Sequence, residues 1–124
     1  MPAKFTELVV DAADPSALAR FWEQVLGWER TFDDEGLVEI SGPGNAKPRI
    51  VFAPVPEPKT LKNRIHIDVN PVGMDRDEEV ERLIGLGARR VDIGKGEQSW
   101  VVLADPEGNE FCVLGTRLDD TPSP

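Results

Sequence analysis

The stretch Arg64-Ile65-His66-Ile67-Asp68-Val69-Asn70 alternates: Ile65, Ile67 and Val69 are apolar, while Arg64, His66 and Asp68 between them are polar. A period of two marks a strand with one buried and one open face, so a strand is predicted over Arg64 to Asn70, its apolar residues toward a helix and His66 and Asp68 on the open side. Downstream, Asp75 followed by Glu78 has the spacing of a capping box. Val80, Leu83 and Ile84 give a helical stripe, and Gly87 closes it. Strands then fit Arg89 to Ile93, Ser99 to Ala104 and Glu110 to Gly115. The second half reads β-α-β-β-β.

Upstream, the same order appears. Phe5 to Val10 reads as a strand, with Leu8 and Val10 toward a helix and Phe5, Glu7 and Val9 on the other side. Asp14 before Pro15 signals a helix start, and Leu18, Phe21, Trp22 and Val25 form its buried stripe as far as Gly27. Strands fit Trp28 to Phe32, Gly36 to Ser41 and Arg49 to Ala53, and a linker carries Pro54, Pro56 and Pro58. Glu7 lies 20 residues before Gly27 and His66 lies 21 before Gly87, so the two occupy comparable places in their units. One helix covers only one face of its strands, so the two units are expected to close a core together. The expectation is a single α+β domain over residues 1–118, built of two tandem βαβββ modules (about 4–54 and 63–116). Their strands should form a curved eight-stranded mixed sheet around a central cavity, with the helices outside. Leu118 onward has little to bury, and residues 119–124 are expected to form a flexible tail.

The chain has 124 residues, with 14 basic and 23 acidic side chains, a net charge of −9. That excess repels phosphate backbones and anionic lipid, so neither nucleic acid nor membrane is an expected partner. Cys112 is the one cysteine, which rules out an intrachain disulfide and suits a reducing cytoplasm. Neither a secretory apolar run nor a membrane span of about 20 apolar residues is present, which also predicts a cytoplasmic protein. With one histidine and one cysteine, a zinc site built only from those residue types is excluded, and any metal needs oxygen ligands too.

If Glu7 and His66 face one hollow, the carboxylate favours and orients a charged imidazole as general acid or base; the competing reading is an internal salt-bridge network of Glu7, Arg64, His66 and Asp68. The Cys112 thiol is either a nucleophile beside His66 or a small buried hydrophobe. Trp22 belongs to the helical stripe, whereas Trp28 and Trp100 are candidates for an aromatic wall around a planar or apolar ligand. Asp105-Pro106-Glu107-Gly108-Asn109 is hairpin chemistry, and Gly94-Lys95-Gly96 reads as a loop, since it lacks the setting of a phosphate cradle. The acidic run Asp75 to Glu81 suits a helix start and a solvated face.

The duplicated order, the helix entry Ala13-Asp14-Pro15-Ser16-Ala17-Leu18-Ala19-Arg20-Phe21-Trp22 and the closing Ala104-Asp105-Pro106-Glu107-Gly108-Asn109-Glu110-Phe111 resemble the vicinal oxygen chelate superfamily. Val55-Pro56-Glu57-Pro58-Lys59-Thr60, followed by Lys62-Asn63-Arg64-Ile65-His66-Ile67-Asp68, is similar to its small bacterial glyoxalase-like members. The resemblance covers about residues 4–116. It implies a divalent metal held from the first and last strands of each unit, with Glu7, His66 and Cys112 as ligands. Cys112 stands where the family usually has glutamate, and Phe52 or Ala53, at the fourth place, cannot bind metal. A thiolate in the set favours zinc-like metals over magnesium, manganese or iron. The function implied is lyase or isomerase chemistry next to a carbonyl, with Glu7 and His66 catalytic and Arg64, Asp68, Trp28 and Trp100 contacting substrate. The alternative is a non-catalytic protein that sequesters a small molecule. A homodimer is the expected assembly.

Overall fold

Both helices begin at their sequence signals. In the computed structural model, which describes residues 2–91 and 100–119, helix α1 spans Pro15–Leu26 and α2 spans Arg76–Leu86. Asp14 Oδ1 accepts the Ala17 N–H at 3.2 Å, and proline at the first helical position loses no bond because that N–H has no partner within the helix. At α2 the box is reciprocal: Asp75 Oδ1 accepts from Glu78 N at 2.9 Å, and Glu78 Oε1 accepts from Asp75 N at 3.4 Å. Gly27, at φ 68°, ends α1 in the left-handed conformation that costs a side chain energy, and its N–H reaches back to the Glu23 carbonyl.

Around α1 lie β1 (Glu7–Ala12), β2 (Glu29–Asp34), β3 (Leu37–Ser41) and β4 (Arg49–Pro54); around α2 lie β5 (Asp68–Val69), β6 (Arg89–Arg90), β7 (Trp100–Ala104) and β8 (Glu110–Leu114). The eight strands fall into two four-stranded mixed sheets of one design. Their orders are β1-β4-β3-β2 and β5-β8-β7-β6, and in each the first strand runs parallel to the last while the other pairs are antiparallel. These are two βαβββ modules, and the chain divides into two compact units, Met1–Lys59 and Thr60–Pro124.

In the first unit, Leu18, Phe21, Trp22 and Val25 are buried on α1, and Val38, Ile40, Ile50 and Phe52 are buried on the strands. Phe21 and Trp22 meet edge to face, with ring centroids 5.3 Å apart. In the second, Val80 and Leu83 of α2 are buried, as are Leu103, Phe111 and Val113. The Asp105 to Asn109 segment is a turn, as its composition predicts. Asp105 is buried, and its Oδ1 accepts from Glu107 N at 3.0 Å and from Asn109 N at 3.0 Å, while Gly108 takes φ 88°.

Three expectations need correction. The strand predicted over Arg64 to Asn70 is only Asp68–Val69, because its parallel partner β8 begins at Glu110 and leaves the residues before His66 without a ladder; Ile65 is 75% exposed instead of core. Trp28 precedes β2 rather than lying on a strand, and its indole lies against Gly42, where a Cβ would stand 3.3 Å from Nε1. Leu118 is tied down: its N–H donates to the Pro71 carbonyl at 2.8 Å and its carbonyl accepts from Gly73 N at 3.1 Å. Gly94-Lys95-Gly96, the strand residues predicted at Asp92, Ile93 and Ser99, and residues 120–124 lie outside the described residues. Among the described residues, no helix is long and apolar enough to cross a membrane.

Candidate functional site

The parallel pairing of β5 with β8 sets Asp68 beside Cys112 and Val69 beside Val113, and Cys112 N donates to the Ile67 carbonyl at 2.9 Å. Side chains of paired residues share a face, and Phe111 and Val113 are in the core. Cys112 and Asp68 therefore stand on the opposite face, with His66 two residues before Asp68. His66 Nδ1 lies 3.3 Å from Asp68 Oδ1 and 3.9 Å from Cys112 Sγ. The three candidate donor atoms all lie within 4.8 Å of one another. His66 and Asp68 are each half exposed, and Cys112 forms the floor.

Burial pushes the Cys112 thiol above its ordinary pKa, and the Asp68 carboxylate adds to this by its charge and by accepting the thiol's hydrogen bond; the Lys62 ammonium pulls the other way. The segment holding Lys62 is pinned by Asn63, whose N–H donates to Glu110 Oε1 at 3.1 Å and whose Nδ2 reaches the Glu110 carbonyl at 3.4 Å. Glu110 is two residues before Cys112 on the same strand and so shares its face. Trp100 on β7 pairs with Leu114, two residues after Cys112, which places it on that face too, 42% exposed.

Of the residues singled out in the sequence, His66, Asp68 and Cys112 come together, Trp100 shares their face, and Arg64 is exposed two residues before His66. Glu7 is the first residue of β1 in the other unit, exposed and paired with Arg49. Trp28 is in that unit too. Asp68 is the third candidate donor, although the sequence reading gave it a substrate-contacting role or a share in a salt-bridge network. The Asn63 brace was missed altogether, because it joins residues 47 apart and no local pattern signals it.

The donor set suits a borderline-soft divalent ion. Ligands at zinc-like bond lengths sit about 3.3–3.8 Å from one another in a tetrahedron; the His66–Asp68 spacing of 3.3 Å lies in that range, the His66–Cys112 spacing of 3.9 Å just beyond it, and all three donors, within 4.8 Å of one another, would draw together around an ion. One imidazole nitrogen, one carboxylate oxygen and one sulfur fill three positions, which leaves a fourth for another oxygen.

Similar folds occur among solved proteins. A glyoxalase/bleomycin resistance protein/dioxygenase family enzyme from Burkholderia phytofirmans PsJN is 20% identical, with 90% of this chain and 97% of that one covered and a TM-score of 0.66. A superfamily member from Sphaerobacter thermophilus DSM 20745 is 18% identical, covering 91% and 97%, with a TM-score of 0.61. The fosfomycin resistance protein FosX of Listeria monocytogenes, solved with Mn(II) and a sulfate ion, is 16% identical, covering 94% and 93%, with a TM-score of 0.71. At such identities the likeness is one of fold. A comparison with curated proteins finds no match. The model of the glyoxalase-like domain family matches residues 7–114, from the first residue of β1 to the last of β8. That span takes in every strand and both helices described above, and the chain belongs to the glyoxalase-like domain family.

Proposed function

We propose that this protein holds a thiophilic divalent metal through His66, Asp68 and Cys112 and acts on a small carbonyl compound by lyase or isomerase chemistry. The observation that carries the reading is the convergence of three chemically different donors within 4.8 Å on one face of the β5–β8 pair. The Mn(II) bound by the Listeria relative supports a divalent ion, and the sulfur donor here favours a zinc-like one. Such an ion, when bound, polarises a carbonyl oxygen and acidifies the adjacent C–H. Cys112 would bind such an ion as the thiolate, its proton released to solvent so that the Asp68 carboxylate stays ionised as a ligand. His66 Nδ1, the ring nitrogen 3.3 Å from Asp68 Oδ1 and 3.9 Å from Cys112 Sγ, would be the ligating atom.

Cobalt(II) titration tests this. A thiolate-to-cobalt charge-transfer band and a rise in melting temperature are expected, both lost in Cys112→Val and His66→Ala. Neither signal in the native protein would overturn the metal reading. One feature supports a second reading, a sequestering protein without metal: Trp100 is 42% exposed on the same face as the cluster, an aromatic surface available to a ligand. Ligand affinity that survives Cys112→Val would favour it.

A further inference from the structure

We infer that the site selects substrates carrying an anionic group, a carboxylate or phosphonate next to the reacting carbonyl, read by Lys62 and Arg64. This rests on the metal reading above and goes on to name the substrate class. The protein as a whole is strongly acidic, at −9, yet Pro58 to Ile67 carries Lys59, Lys62 and Arg64 with no carboxylate among them. Acids farther away than about 8 Å are largely screened at physiological salt, so local groups set the potential here. Among the described residues, neither Lys62 nor Arg64 has an ion pair or hydrogen bond, whereas Arg76, Arg82 and Arg90 of the same unit each face a carboxylate. The two cations flank Asn63, whose double attachment to Glu110 fixes the backbone between them alongside the strand that carries Cys112.

The nearby charges favour an anion. Asp68 and a thiolate at Cys112 together balance a divalent ion, and Glu110 offsets one of the two cations, so about one positive charge remains at the rim. An uncharged carbonyl compound leaves that charge unused. An α-oxo acid of the same size places its carboxylate on it, and Arg64 offers the planar fork that matches a carboxylate or phosphonate.

The test compares pyruvate with diacetyl, which differ by a carboxylate against an acetyl group, using the cobalt-loaded protein and the shift of its absorption band as readout. Pyruvate is expected to bind at least tenfold more tightly than diacetyl at low salt and to lose that margin as salt rises. At saturating cobalt, Lys62→Ala and Arg64→Ala should each weaken pyruvate about tenfold while changing diacetyl affinity far less, with Lys62→Arg restoring most of the Lys62 loss. A metal ion alone also attracts carboxylates, so the variants carry the decision. Pyruvate binding equal to native in both alanine variants, or no pyruvate binding to cobalt-loaded protein, overturns this inference and leaves the metal site standing. Absence of the cobalt band overturns the metal reading and this inference with it.

Discussion

The two modules share a scaffold but not a chemistry. Counted from the first residues of their last strands, Arg49 and Glu110, the parallel pair Asp68 and Cys112 of the second module corresponds to Val9 and Val51 of the first, and His66 corresponds to Glu7. Where the second module sets a carboxylate beside a thiol, the first sets two valines. Where Glu110 braces a loop through Asn63, Arg49 donates to Glu39 at 3.1 Å, and Thr31 donates to that same carboxylate at 3.0 Å. The helix-facing positions change little: Ile50 and Phe52 answer to Phe111 and Val113. Packing against a helix constrains one face of each sheet, and the open face is free to carry a His–Asp–Cys cluster in one copy and an Arg49–Glu39 ion pair in the other.

The strongest test of shared scaffolding is core truncation. Phe52→Ala and Phe111→Ala should each cost about 3–5 kcal/mol by denaturant unfolding, since both rings are essentially inaccessible. A cost below about 1 kcal/mol for either would break the equivalence of the two cores. Next comes Asp105→Ala, expected to cost about 2–3 kcal/mol by leaving several turn N–H groups without an acceptor. The helix caps sharpen the comparison further. Asp75→Ala and Asp14→Ala should each cost about 1 kcal/mol, with Asp75 the larger because its box satisfies donors in both directions.

Why the fold was legible while the site was only half so follows from these residues. Asp14-Pro15, Asp75 with Glu78, and the glycines after both helices act within a few residues, and their effects survive any tertiary setting. His66 and Cys112 were also readable, since alternation and position in the last strand mark the open face. Asp68 as a third donor depends on the β5–β8 register, and the Asn63 brace on a contact between distant segments; neither leaves a local pattern. The error at Ile65 has the same origin: alternation continues past the point where a partner strand exists, and an apolar residue with no ladder beside it stays at the surface.

Converting one module toward the other gives the subtlest test. Cys112→Val reproduces the Val51 environment and swaps a small buried thiol for a group of similar volume, so stability should change by less than about 1 kcal/mol while the cobalt band disappears. The thiol itself reports its neighbours. Burial and the Asp68 charge hold it protonated above the ordinary thiol range, so iodoacetamide should label native protein more slowly at neutral pH than it labels unfolded chain. The unfolded chain ionises first as pH rises and then binds fewer protons than the native state, so this group leaves stability intact at neutral pH and erodes it as pH climbs past about 8.5 toward the raised native value. Asp68→Asn removes the carboxylate's part but not burial's, so labelling should quicken severalfold at most and still lag the unfolded rate. Lys62→Ala withdraws the opposing charge and should slow it. Unchanged labelling in both variants would mean that the sulfur senses neither neighbour, and the second module's open face would then be as inert as the first.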